Sequence, residues 1–267
     1  MSWLRKSFAV VGVATLGGLV LPGCEKNESI LFILGAISVD RTECVARPEA
    51  NAVLLEGGVL DLAITGRYRA ALLVASQLTE RGSRESLRTE TARLNLQGAE
   101  VQLHDSGGRA LALPDNPYST LGSGFVDPAG GTDPGFGSIF VDIIPSGVPV
   151  PIGTLTATVR VFGTTLGGQD IESNELKFPI EVCHGCLIQY SIGAIDDTLP
   201  PGEQRCDKFV ASEETEVTVG CFPGQDLPVS CSLCAASNEA CLDPCQNCAA
   251  RSAFGCPDPA PPHCSLP

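Results

Sequence analysis

Large anchoring side chains are nearly missing from this chain. Trp3 is its only tryptophan and Met1 its only methionine, and the tyrosines are Tyr68, Tyr118 and Tyr190. Sugar-stacking platforms and protein hot spots favour Trp and Tyr, and adaptable promiscuous surfaces favour Met, so those readings lose support. Basic residues are scarce too: 17 Lys and Arg against 31 Asp and Glu give a net charge of −14. Nucleic acid demands a basic face, so no nucleic-acid partner is expected, and anionic headgroups would repel this surface. We read the charge as solubility. Histidine is limited to His104, His184 and His263. The Gly-x-Ser-x-Gly elbow, the His-Glu-x-x-His pair and the phosphate-binding loop are all missing. No long stretch shows the 3.6-residue period of an amphipathic helix.

The N-terminus is more informative. Arg5 and Lys6 precede an uncharged apolar run from Phe8 to Val20, followed by Leu21–Pro22–Gly23–Cys24. A basic start, an apolar stretch and a small residue before a cut describe an export signal. The run is shorter than the roughly 20 residues a spanning helix needs, and Gly17, Gly18 and Pro22 weaken a helix there. Leu21, Gly23 and Cys24 resemble the lipobox of bacterial lipoproteins; Pro22 departs from it, where Ala, Ser, Thr or Val is usual. The resemblance implies cleavage before Cys24, diacylglycerol on its sulfur and further acylation such as palmitate. One acyl chain binds marginally and two hold stably, at about 0.8 kcal/mol per buried methylene. Glu25 follows the cysteine, and by the same resemblance the lack of Asp there favours the outer membrane over the inner. Removing residues 1–23 leaves the mature chain two charges more negative. The expected membrane contact is therefore the covalent lipid alone.

Composition divides the rest. We expect a signal at 1–23, a lipid-anchored tether at 24–28, a β-sandwich at 29–182 and a cysteine-rich module at 183–267. Leu155, Ala157, Val159 and Val161 alternate with Thr156, Thr158 and Arg160, and Ala92, Leu94 and Leu96 alternate with polar neighbours. Period two marks strands with one buried face. After Leu96 the apolar parity flips to Ala99, Val101 and Leu103, with Gly98 at the flip, which predicts a bulge and puts His104 on the polar face. Further strands are expected at Ile30–Ile37, Val59–Thr65, Ala70–Val74, Ile139–Ile144 and Glu175–Val182. The fold class is all-β: an antiparallel, immunoglobulin-like sandwich followed by a disulfide-rich, loop-dominated C-terminal module. Pro114–Gly137 reads as one long loop, and Glu80–Arg93 as a solvated loop rather than a helix. The C-terminal region, with proline-rich Pro257–Pro262, is too poor in apolar runs to fold without covalent staples.

The cysteines supply those staples. With Cys24 assigned to lipid, Cys44, Cys183, Cys186, Cys206, Cys221, Cys231, Cys234, Cys241, Cys245, Cys248, Cys256 and Cys264 remain. Export places them in an oxidising space, where six bridges are the natural reading. The tail holds an odd number, so full pairing sends Cys44 into it. If the first and last strands run parallel, Cys183 is the expected partner and Cys186 the second choice. Cys-x-x-Cys occurs at 183/186, 231/234 and 245/248. That spacing serves zinc or a thioredoxin-like pair, but it is more often structural in an oxidising space, and Cys183–His184–Gly185–Cys186 follows a strand without a βαβ unit. Heme attachment needs a following histidine, where Leu187, Ala235 and Ala249 stand.

The sequence predicts a non-enzymatic envelope lipoprotein, structural or protein-binding, with no catalytic residue, cofactor or metal and with an envelope protein as the possible partner. The alternatives are a hydrolase using loop carboxylates and a Cys-x-x-Cys metal or redox module. Glu213, Glu214 and Glu216 are candidate acids, and Asp127 and Asp133 candidate calcium oxygens. The order of lipobox, strand-rich region, Val182–Cys183–His184–Gly185–Cys186–Leu187 and cysteine-rich tail resembles uncharacterised Gram-negative lipoproteins, which implies no activity.

Overall fold

The computed structural model describes residues 30–40, 42–83, 89–190, 194–206, 221–234 and 238–264. The expected export signal at 1–23, the expected lipid-bearing Cys24 and the candidate acids Glu213, Glu214 and Glu216 lie outside the described residues. The fold is all-β. One sheet contains β1 (Leu31–Ile37), β2 (Leu54–Leu55), β4 (Tyr68–Ser76) and β7 (Gly135–Ile144), in the order β2-β1-β4-β7. The facing sheet contains β3 (Gly58–Asp61), β5 (Leu94–His104), β6 (Tyr118–Val126), β8 (Gly153–Thr165) and β10 (Leu176–Cys183), in the order β3-β10-β8-β5-β6, with β9 (Asp170–Glu172) hairpinned onto β8. This is the immunoglobulin-like arrangement: β1-β4-β7 face β10-β8-β5, and the chain crosses between sheets from β2 to β3. It is not wholly antiparallel as expected, because β3 runs parallel to β10, with Leu60 opposite Val182 and Asp61 opposite Cys183.

The period-two reading holds along β8, where Leu155, Ala157, Val159 and Val161 are buried and alternate with partly exposed neighbours. They pack with Leu31, Leu72, Leu94, Leu103, Ile139 and Ile180 in one core between the sheets. Gly98 does sit at a bulge: the register of β5 shifts between Leu96 and Gly98 against both of its neighbours. The strand β4 departs from simple alternation. Its Ala71 and Leu73 are also buried, on the outer face, against Ile37, Ala46 and partly buried Val39, Ala52, Phe136 and Phe140. The connection between β1 and β2 therefore covers the outside of the first sheet.

Two expectations need correction. The segment Pro114–Gly137 is not one loop: it contains β6 and the start of β7. Its glycines are there because the two strands meet closely at the corner between the sheets. A Cβ on Gly124 would lie 2.3 Å from the Ser138 carbonyl oxygen, and one on Gly122 2.6 Å from that of Phe140. The strand expected at Val59–Thr65 also stops early. The Asp61 carboxylate accepts the Ala63 N–H at 3.0 Å, and the Asp61 carbonyl accepts those of Ile64 and Thr65, which turns the chain.

Beyond Cys183 regular structure is sparse. A two-residue parallel ladder joins β11 (Ile188–Gln189) to β12 (Val229–Ser230), and α1 (Glu239–Leu242) is a single turn. The apolar cluster here is small: Ala63, Ile188, Ala194 and Ile195 with Cys206, Cys231, Cys234 and Cys241. Among the described residues no helix is long and apolar enough to cross a membrane.

Candidate functional site

Among the described residues, three buried polar side chains, Asp61, Gln225 and Asn247, lie where the cysteine-rich tail meets the sandwich. Asp61 ends β3 and is fully buried. The parallel pairing of β3 with β10 sets it beside Cys183 and the loop that follows. Its carboxylate accepts the N–H of Gly185 at 2.6 Å and that of Leu187 at 2.9 Å, in addition to that of Ala63. From the other side comes Asn247, also fully buried. Its amide nitrogen donates to the Gly185 carbonyl at 2.8 Å, while its oxygen accepts from the main chain of Ala249 and Ala250. The N–H and the carbonyl of Gly185 are thus each held by a buried side chain, one from each region. Gly185 adopts φ 84°, and a Cβ there would lie 2.3 Å from the Asn247 amide carbon, so no larger residue fits.

A second bracket forms where residues 221–227 return to the first sheet. Tyr68 opens β4 and is buried, and its hydroxyl donates to the Asp226 carboxylate at 3.0 Å. The Val59 N–H donates to the same carboxylate at 2.8 Å. Beside it the Gln225 side chain accepts the Arg69 N–H at 2.9 Å and donates to the Arg69 carbonyl at 2.7 Å, so an amide takes the place of a strand partner just past the last β1–β4 pair, Ile37 with Ala71. Burial raises the Asp226 carboxyl above the usual carboxylate range, against the lowering effect of the bonds from Val59 and Tyr68. The Tyr68 hydroxyl is pushed upward by burial first and then by the Asp226 charge. A cavity of about 220 Å³ opens next to the pair, with Ile37, Val39, Ala71 and Phe222 in its wall. No buried side-chain nitrogen or oxygen lacks a partner among the described residues.

Six cysteine pairs lie at disulfide distance: 44–221, 183–186, 206–231, 234–241, 245–256 and 248–264. Cys44 does join the tail, but its partner is Cys221, neither Cys183 nor Cys186. The expectation assumed that the first strand lies parallel to the last. It is β3 that takes that place, whereas Cys44 sits in the β1–β2 connection on the outside of the opposite sheet. Phe222, next to Cys221, packs on Phe140 of that sheet, with ring centroids 6.1 Å apart. Of the three Cys-x-x-Cys motifs only 183/186 closes on itself; the other two are divided among four bridges.

The remaining sequence candidates do not converge. Asp127 pairs with Arg93 at 3.0 Å, and Asp133 contributes its main-chain oxygen to Gly130. Neither belongs to a group of convergent ligand atoms among the described residues. His104 ends β5, partly exposed, on the expected face. The described part of 80–93 is loop, tied by Glu90 to the N–H groups of Arg81, Gly82 and Ala92. His184 and His263, 79 residues apart in the sequence, have their rings in contact. The sequence reading missed Asp61, Gln225, Asp226 and Asn247. Only Asp61 left a trace, as a charge closing the apolar run Val59–Leu60. No protein-family model matches the chain, and no curated protein matches it in sequence.

Proposed function

We propose that the chain is a lipid-anchored cell-envelope protein, held through acyl groups on Cys24 with the outer membrane favoured, and that it works as a non-enzymatic scaffold for structure or protein contact. One observation carries the non-enzymatic part: how the buried polar side chains of the junction are engaged. Asp61 and Gln225 bind main-chain groups across the boundary between sandwich and tail, Asn247 holds the carbonyl of Gly185 within the tail, and Asp226 binds Val59 and Tyr68. A catalytic acid or base needs a lone pair or proton directed at a substrate. These groups are directed at the protein's own backbone, as in a rigid body built to hold its shape.

The test uses the native protein recovered from membranes. Its N-terminal peptide is expected to begin at Cys24 and to carry acyl mass, and Cys24→Ala is expected to leave a precursor or mis-sorted form. In-cell crosslinking of the anchored chain then identifies its neighbours. A mature N-terminus elsewhere, or one without acyl mass, overturns the anchor. Reproducible turnover of a hydrolase substrate, abolished by replacing one exposed acid with folding intact, overturns the scaffold and restores the hydrolase reading.

A further inference from the structure

Two of the chain's three histidines meet although the sequence keeps them far apart. His184 lies in the loop that follows β10, between Cys183 and Cys186, and His263 lies in the turn Pro262–Cys264. Their ring centroids are 4.3 Å apart, with 41° between the planes. Both residues are half-buried. The backbone under both is tied to the same short segment, residues 246–248. The His184 loop is held by Asp61 and Asn247, and His263 is next to Cys264, which is bridged to Cys248.

The second observation concerns the tautomer. His263 Nε2 lies 2.9 Å from the Gln246 carbonyl oxygen. A carbonyl only accepts, so Nε2 carries the hydrogen and, in the neutral ring, Nδ1 keeps its lone pair. A ring nitrogen donating to a main-chain carbonyl is how metal-binding imidazoles are commonly oriented. His184 is held below the ordinary imidazole range by burial first and then by the His263 charge, with Asp61 acting in the opposite sense.

We propose that His184 and His263 bind one borderline divalent transition-metal ion, copper(II) or zinc(II), through one nitrogen of each ring. Imidazole suits both ions, and copper(II) stands higher in the affinity order. Ligand atoms of His184, His263 and Cys248 all lie within 4.8 Å of one another. Two metal–nitrogen bonds of about 2.1 Å span at most about 4.2 Å, a separation of the same order as that between these ligand atoms. The Cys248 sulfur is in a disulfide and carries no thiolate charge, which leaves the other coordination positions to water. The site is independent of the scaffold reading, since it requires no turnover and no partner protein.

The probe is copper(II) alone, titrated into the full chain expressed without a histidine tag and with its six bridges intact. Calorimetry is expected to show one ion per chain, and electron paramagnetic resonance to show splitting from two nitrogens. His184→Ala and His263→Ala should each weaken binding by at least about tenfold, since even losing an outer partner of a ligand costs that much. His104→Ala should leave binding unchanged. His184→Gln and His263→Gln, with non-reducing peptide maps matching the parent, give the same reading if an alanine variant misfolds. Absence of stoichiometric binding, or binding that survives replacement of both residues, overturns the site.

Discussion

The sandwich and the tail are stabilised by different means. The largest fully buried side chains, among them Tyr68, Phe178, Leu72, Leu94, Leu103 and Ile143, all belong to the sandwich, whose sequence at 29–182 holds a single cysteine, Cys44. Fully burying one such Leu or Ile contributes about 1.5–3 kcal/mol. Among the described residues the tail buries Ile188, Ala194 and Ile195 around its own cysteines, with Tyr190, Leu242 and Phe254 only partly buried against them. Where apolar area is short, covalent bonds between neighbouring loops take over, each contributing about 2–4 kcal/mol. The contrast shows which interactions each region can lose.

Reduction of all six bridges is expected to have the largest effect, and to fall on one side. The tail should lose its amide protection, while β4, β5 and β8 keep theirs. Hydrogen exchange before and after reduction reads this directly, and equal loss in both regions would break the contrast. Next comes Cys44→Ser. Its bridge closes a sequence separation of 177 residues, which chain-entropy reasoning values at roughly 5 kcal/mol as an upper figure. A lower Tm and a free thiol at Cys221 are expected. Leu72→Ala, at a fully buried position of β4, should destabilise the sandwich by about 2–5 kcal/mol and leave the tail bridges in place. Replacing Cys183 and Cys186 together with serine removes a bridge of separation 3. The same entropy argument gives it roughly 2 kcal/mol, so the Tm shift should be well below that of Cys44→Ser.

The smallest effect is one of pH. The folded carboxyl of Asp226 is raised, so the fold favours its protonated form. The stability it contributes is fully present below the unfolded carboxylate pKa and is lost as pH rises through the raised folded value. Asp226→Asn should remove this part of the decline between acid and neutral pH, measured as denaturant midpoints across a pH series. An unchanged slope would show that Asp226 does not carry it.

What the sequence disclosed follows from the range of the interaction involved. Alternation along Leu155–Val161 and the parity flip at Gly98 are local, and both were legible because each side chain's face is set by its neighbours two residues away. The strand β6 was not. Gly122 and Gly124 look like loop residues until Phe140 and Ser138 are known to lie against them. Parity of the tail cysteines led Cys44 to the tail, yet the choice of Cys221 depended on which strand accompanies β10. The brackets at the junction are the least legible of all. Asp61 and Gly185 are 124 residues apart, and nothing near Asn247 announces that its amide grips Gly185.

The bridge from Cys44 to Cys221 also determines how the molecule responds to mechanical load. A pull applied at residue 30 and resisted at the far end of the tail runs through β1 to Cys44, across the sulfur atoms, and on from Cys221. The strands β3 to β10 lie outside that path, within the segment the bond encloses. Fully extended, a segment of 177 residues would release roughly 600 Å of chain, and the covalent link withholds all of it. Only β1 and its connection to Cys44 are left on the sandwich side to peel away under tension.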